Sequence, residues 1–136
     1  MILDVKRHGK QRVECKQILL ALEGVYNSSG AWINHPAVKM WRNYEAALAG
    51  YGYAICKTWI RKGYKDFLLD FFKEKQKYYL ELHSTNGDYW RLKYPPWFGN
   101  EDFHASHRSN LLRKNAEYYS KFRWSEPNDI PYVWPV

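Results

Sequence analysis

The sequence predicts an all-α protein: a compact, single-domain helical bundle over residues 1–136, ending in an extended, aromatic, proline-containing tail. Three observations predict it. Apolar residues recur at i, i+3, i+4 and i+7 along most of the chain, the spacing that gathers them on one face of a helix. Asp4, Gly24, Pro36 and Gly63 bracket those runs as helix starts and stops. Pro127, Pro131 and Pro135 forbid a long helix near the end, because each lacks a backbone donor and its ring clashes with the preceding turn. A chain of this length buries one useful core and leaves no room for a separate cofactor domain.

Asp4 is the expected cap of a first helix running to about Leu22, with Cys15, Ile18, Leu19 and Leu22 as its buried stripe. Gly24 ends it. Residues Tyr26 to Trp32, centred on Asn27-Ser28-Ser29-Gly30, read as a polar link. Asn34-His35-Pro36 then opens a second helix, since proline is tolerated in a first turn. Trp41, Tyr44, Leu48, Tyr51, Ile55 and Trp59 share one face of it down to Gly63. Ala46, Ala47, Ala49 and Gly50 are small enough for another helix to approach closely.

A third amphipathic segment spans Lys65 to about Tyr79, with Phe67, Leu68, Phe71, Phe72, Tyr78 and Tyr79 on its apolar side. Ser84-Thr85-Asn86-Gly87-Asp88 is a strong turn, Tyr89 to Leu92 allows a short strand, and the prolines of Tyr94-Pro95-Pro96-Trp97-Phe98-Gly99 favour extended chain. A fourth helix is expected from Asn100–Asp102 to Lys114, acids first and bases last, as the helix dipole prefers. Asn115 restarts a short turn through Tyr119, and Asp129 to Pro135 should run extended across the domain.

The charge balance, 21 − 14 = +7, favours polyanionic partners: double-stranded DNA first, an acidic membrane surface second. The plain alternative is a basic but inert surface. Aromatics are 18 % of residues, with seven Trp and twelve Tyr, more than a core this small needs. Among Lys and Arg they suit stacking on unpaired bases, although rings at the rim of a small core are the commoner use. The two cysteines, Cys15 and Cys56, fall inside helical stretches and read as small core residues in a reduced, cytoplasmic setting. No apolar run approaches a membrane span and no signal peptide is evident, so a soluble monomer without membrane attachment is expected.

Arg7, Lys10, Gln11 and Glu14 share one face of the first helix, opposite the apolar stripe. A lone carboxylate among cations on a DNA-facing helix repels phosphate unless it has a task; the plain account is an i, i+4 ion pair between Lys10 and Glu14. Lys39 and Arg42 extend the positive surface beside Asn34 and His35. The fourth helix concentrates His104, Ser106, His107, Arg108, Arg113 and Lys114, a set able to grip phosphates. His104 and His107 supply half of a metal site at most, and no carboxylate or cysteine spacing completes it, so no metal is expected. The absence of a glycine-rich phosphate loop, a Gly-x-Ser-x-Gly elbow and a Cys-x-x-Cys pair argues against nucleotide hydrolysis, serine hydrolase and zinc-ribbon readings.

The segments Gly9-Lys10-Gln11-Arg12-Val13-Glu14, Asn34-His35-Pro36-Ala37-Val38-Lys39-Met40-Trp41, Phe103 to Lys114 and Pro131-Tyr132-Val133-Trp134-Pro135, in this order, resemble the bacterial and phage branch of the pyrimidine-dimer DNA glycosylase/AP-lyase family. The resemblance covers nearly the whole chain. It implies a helical domain that kinks duplex DNA and flips a nucleotide from the stack. It also implies a chemistry of one amine and one carboxylate, without a small-molecule cofactor. The α-amine attacks C1′ of the damaged nucleotide to form an imine, and a first-helix glutamate, here Glu14, assists proton transfer and strand cleavage. An α-amine, with an ordinary pKa of about 7.7–8.0, keeps a useful neutral fraction near neutrality. Arg108 and Arg113 match the family's DNA-gripping segment.

Family members carry an extension ahead of the region matching Leu3-Asp4, with the catalytic amine at its start, whereas this chain opens at Met1, which the bulky Ile2 should leave in place. Three readings stay open: a start placed too far downstream, a replacement amine such as Lys6 or Lys10, or a protein that has lost lyase chemistry. Two functional alternatives stand beside the glycosylase: a non-catalytic DNA-binding module on the same scaffold, and a metal-dependent nuclease built on His104 and His107.

Overall fold

Helix α1, Val5–Leu22, starts where Asp4 holds an extended conformation and stops where Gly24 takes φ +83°, a region open to glycine at little cost. Its geometry comes from a computed structural model that describes residues 3–24, 34–82, 95–97 and 100–134. The Asp4 carboxylate makes no capping bond to the backbone and instead takes the Arg7 guanidinium at 3.1 Å. Cys15, Ile18, Leu19 and Ala21 are buried, while Leu22 is half-buried. Both cysteines are buried free thiols, and burial pushes Cys56 up to about 12. The links at Tyr26–Trp32, Ser84–Asp88 and Tyr89–Leu92 lie outside the described residues, as do Met1 and Pro135.

The helix expected to run unbroken from Pro36 to Gly63 is two helices, α2 at Pro36–Lys39 and α3 at Glu45–Arg61. The break is at Asn43, whose φ of 72° is one that asparagine tolerates better than most side chains. Its N–H donates to Glu45 Oε1 at 3.2 Å, so a side chain takes over where the helical ladder is interrupted. The interruption lets Met40 and Trp41 turn inward and become buried. At the start of α2, His35 accepts the Ala37 N–H on Nδ1 at 3.0 Å, doing the work of an N-cap. Helix α3 buries Leu48, Ile55 and Cys56 completely and closes at Gly63 with φ +92°.

Helix α4, Leu69–Leu82, packs along α3, which also carries α1 on another side, so α3 is the centre of this part of the core. The close approach is made at Gly52, where a Cβ would stand 2.5 Å from the ring of the fully buried Phe72. Gly50 does the same against the Gln76 amide. The end of α1 is tied to α4 by Glu23, whose carboxylate takes Lys75 Nζ at 2.8 Å and the Tyr79 hydroxyl. Phe67 and Tyr78, expected on the apolar side, are exposed at 88 % and 54 %. Phe67 precedes the helix, and Tyr78 follows Phe72 by six residues, which at about 100° per residue turns it well away from the buried face.

The chain divides into two compact units, Met1–Pro95 and Pro96–Val136. The second is built on α5, Glu101–Lys114, which Asn100 caps by accepting the Phe103 N–H at 2.9 Å. Asn115 likewise accepts the Tyr118 N–H at 3.2 Å and restarts the chain as α6, Ala116–Tyr119, followed by a 3-10 turn at Ser120–Phe122. Pro96 and Trp97 form a turn closed by Asn100 N–H on Trp97 O at 3.1 Å, where extended chain was expected. The tail is held along α5 by a polar stripe. Ser106 Oγ accepts the Val133 N–H at 3.1 Å, Ser109 Oγ accepts the Ile130 N–H at 3.0 Å, and Asn110 Nδ2 donates to Ile130 O at 3.3 Å. These three polar residues are buried and hydrogen-bonded, which is what makes their burial tolerable. Among the described residues all regular structure is helical, and no helix is long and apolar enough to cross a membrane.

Candidate nucleic-acid interface

The four polar residues of α1 form a stripe as expected, but it flanks the buried face instead of opposing it. Successive helical residues are about 100° apart, so Arg7 and Glu14 each adjoin a fully covered neighbour, His8 and Cys15. The Glu14 side chain is 38 % exposed and Lys10 is 71 % exposed, with Nζ 3.7 Å from Glu14 Oε1. The i, i+4 ion pair of the plain account is therefore present, loose and solvated. Gln11 reaches across to α3 and hydrogen-bonds the Tyr51 hydroxyl, which burial pushes far above the ordinary phenol range. Tyr51 in turn stacks on Trp41, with ring centroids 6.1 Å apart. Glu14 keeps an open carboxylate, close enough for its charge to act on Tyr51 in the same direction as burial.

The back of α1 is clamped by contacts that local patterns do not reveal. His8 is fully buried; its Nε2 faces Ile55 O at 3.0 Å and its Nδ1 faces Lys62 Nζ at 3.0 Å. Burial, with the Lys62 ammonium adding to it, lowers the His8 pKa, so the ring is neutral, donating from Nε2 and accepting on Nδ1. Lys62 Nζ also donates to Leu3 O at 3.3 Å. Arg12 lies over the Trp59 ring, 4.6 Å from its centroid, and pairs with Asp66, whose side chain is completely buried. The signal for these residues in the sequence is slight: Arg12 sits inside the Gly9–Glu14 segment and Tyr51 on an apolar face.

Lys39 and Arg42 are exposed on α2 and the turn after it, and α2 packs on α1. In the second unit, Arg108 is held between Glu101 and Glu126, its Nε 2.7 Å from Glu126 Oε1. The hydrogen bond from Arg108 holds the Glu126 carboxyl below the usual carboxylate range. Arg113 donates to Asn128 O at 3.0 Å and to the Asn110 amide oxygen. His107 sits among Phe103, Tyr132 and Trp134, with centroids at 4.3, 5.1 and 6.0 Å, and burial lowers its pKa to about 4. His104 is half-buried beside Phe103, and Lys114 is exposed with Nζ over the Tyr132 ring. Among the described residues, no three His, Cys, Asp or Glu side chains converge as a metal site would require.

A basic helical scaffold with one open carboxylate in a cationic stripe defines a small protein suited to a polyanion. The family model described as pyrimidine dimer DNA glycosylase matches residues 1–72, just over half of the 136, and the chain belongs to that family. At the level of the family it is a DNA repair glycosylase domain whose substrate is DNA. The matched region holds α1, α2, α3 and the opening of α4, with Glu14 and the Asn34–Trp41 segment inside it and the α5 segment beyond it. No curated protein and no solved structure matches the chain.

Proposed function

We propose that this protein excises a damaged or modified pyrimidine, such as a pyrimidine dimer, from double-stranded DNA, and that it couples excision to AP-lyase strand cleavage. The observation that carries the reading is Glu14: an accessible carboxylate on a cationic helix face within the region the family model matches. In this reading a neutral amine attacks C1′ of the damaged nucleotide. The bond from C1′ to the base breaks, the base leaves with the electron pair, and the sugar ring opens to give an imine. Glu14 accepts and returns protons at the sugar, and removal of a proton from C2′ then expels the 3′ phosphate.

The amine assigned to this step is the α-amine of Met1, which lies outside the described residues. Lys10, 3.7 Å from Glu14, is the better placed of the two side-chain alternatives, since the Lys6–Glu14 distance is eight residues along the same helix. Arg7, Lys10, Gln11, Lys39 and Arg42 of the first unit, with His104, Arg108, Arg113 and Lys114 of the second, supply the phosphate contacts. The exposed members are Lys10, Lys39, Arg42, Arg113 and Lys114. His107, enclosed by aromatic rings, serves packing more than contact.

The test is incubation with dimer-containing and with abasic duplex in the presence of borohydride, which reduces an imine and leaves a covalent protein–DNA adduct. An adduct supports the reading. Absence of both an adduct and base release from every damaged duplex removes the enzyme and leaves a DNA-binding module, recognised by steeply salt-dependent affinity.

A further inference from the structure

Phe67 departs furthest from what an apolar side chain should do: 88 % of it is exposed, against 57 % for Leu82, the next most open large apolar residue among those described. The turn that carries it is fastened on both sides. Trp59 Nε1 donates to Lys65 O at 2.9 Å. Asp66 spends one carboxylate oxygen on Arg12 and the other on the N–H groups of Leu68 and Leu69, at 3.0 and 2.7 Å. The ring is therefore projected from an anchored base, held ready instead of folded back onto the core.

The turn leading to Phe67 presents cations alone to solvent, and the nearest exposed acid is Asp70, beyond it in the first turn of α4. Arg61, Lys62 and Lys65 are exposed, and the one acid in that stretch, Asp66, is buried and neutralised by Arg12. Among the described residues neither Arg61 nor Lys65 has a carboxylate partner. A second copy of the chain would bring the same cations against these. Duplex DNA offers both complements at once, phosphates for the cations and base faces for the ring, and apolar side chains that enter a base step unstack and kink the duplex.

The geometry points to Phe67 as a wedge that enters the base stack of the substrate duplex, with Arg61 and Lys65 on the flanking phosphates. The inference rests on the DNA-repair reading and adds to it the residue that deforms the substrate.

The test uses the full chain and a short duplex bearing a tetrahydrofuran abasic analogue, with 2-aminopurine beside it and a dye pair on its ends. The wild type should raise the 2-aminopurine fluorescence and shorten the end-to-end distance. Phe67→Ala should lose both signals and on the order of tenfold in affinity, with the dependence on salt unchanged, and Phe67→Trp should keep them. Arg61→Ala with Lys65→Ala should instead lower the slope of log K against log salt by about two. Wild-type unstacking and bending in Phe67→Ala would overturn the wedge, as would a dimer in solution that Phe67→Ala dissolves while duplex binding stays the same. In both cases the borohydride adduct with the true abasic duplex, measured separately, persists. A wild type that neither binds duplex nor forms the adduct overturns the wedge and the repair reading together.

Discussion

Lys10 Nζ stands 3.7 Å from Glu14 Oε1, one helical turn away, and both side chains are open to water. A contact this long and this solvated contributes only tenths of a kcal/mol to stability, so about 0.5 kcal/mol is a generous ceiling. Glu14→Gln should therefore leave the fold and the affinity for duplex intact. Excision should fall by roughly 10²- to 10⁴-fold, the usual contribution of a positioned acid–base group. Base release and fluorescence anisotropy on the same samples measure both quantities. Wild-type turnover in the variant would strip Glu14 of its catalytic part.

Arg12 pairs with the fully buried carboxylate of Asp66, and Asp66 also caps the start of α4. Removing either partner leaves an uncompensated charge in the interior. Asp66→Ala and Arg12→Ala should each cost about 3–5 kcal/mol in urea unfolding. The double variant should lose clearly less than the sum of the two, and strict additivity would show that the pair is not coupled.

Gly52 lets α3 and α4 close on Phe72. Gly52→Ala places a methyl group 2.5–2.7 Å from ring atoms and should destabilise by about 1–3 kcal/mol through overpacking. In a Phe72→Leu background the added cost should shrink, because the smaller side chain frees the space. The midpoint of chemical unfolding reads both.

His107 has its pKa lowered from 6.5 to about 4 by burial. As the pH falls through 6.5 the unfolded chain takes up this proton while the folded chain refuses it, so stability is fully present above 6.5 and is lost progressively towards 4. The loss from this group is at most about 3 kcal/mol. His8, also lowered by burial, acts in the same direction. His107→Phe should flatten the stability profile across this window in part, leaving the slope due to His8. A profile unchanged from the wild type would mean that His107 titrates normally in the folded protein.

Much of the fold was legible in the residues. Gly24, Asn100, Asn115 and Gly63 mark helix ends where they were expected, because capping acts over two to four residues and is written locally, while Asp4 stands at the expected start without making the capping bond. The break at Asn43 escaped the periodicity, since Trp41 and Tyr44 fit the apolar spacing whether or not the helix continues between them. Phe67 fits the amphipathic pattern of the third segment, but the helix begins only at Leu69, and its place in the turn before α4 puts it in solvent.

By itself the sequence determined that this protein is helical, basic and related to DNA repair glycosylases, and that Arg7, Lys10, Gln11 and Glu14 share a face of α1; these depend on spacings of three and four residues and on motif content. The tertiary structure alone decided which charges are occupied. Arg12 meets Asp66, and His8 meets Lys62, each across 54 residues, while Arg108 and Arg113 are taken up by the tail 18 and 15 residues away. The physical reason is range: a helix is specified by neighbours along the chain, whereas the partner of a cation depends on which helices pack together and what that packing shields from water.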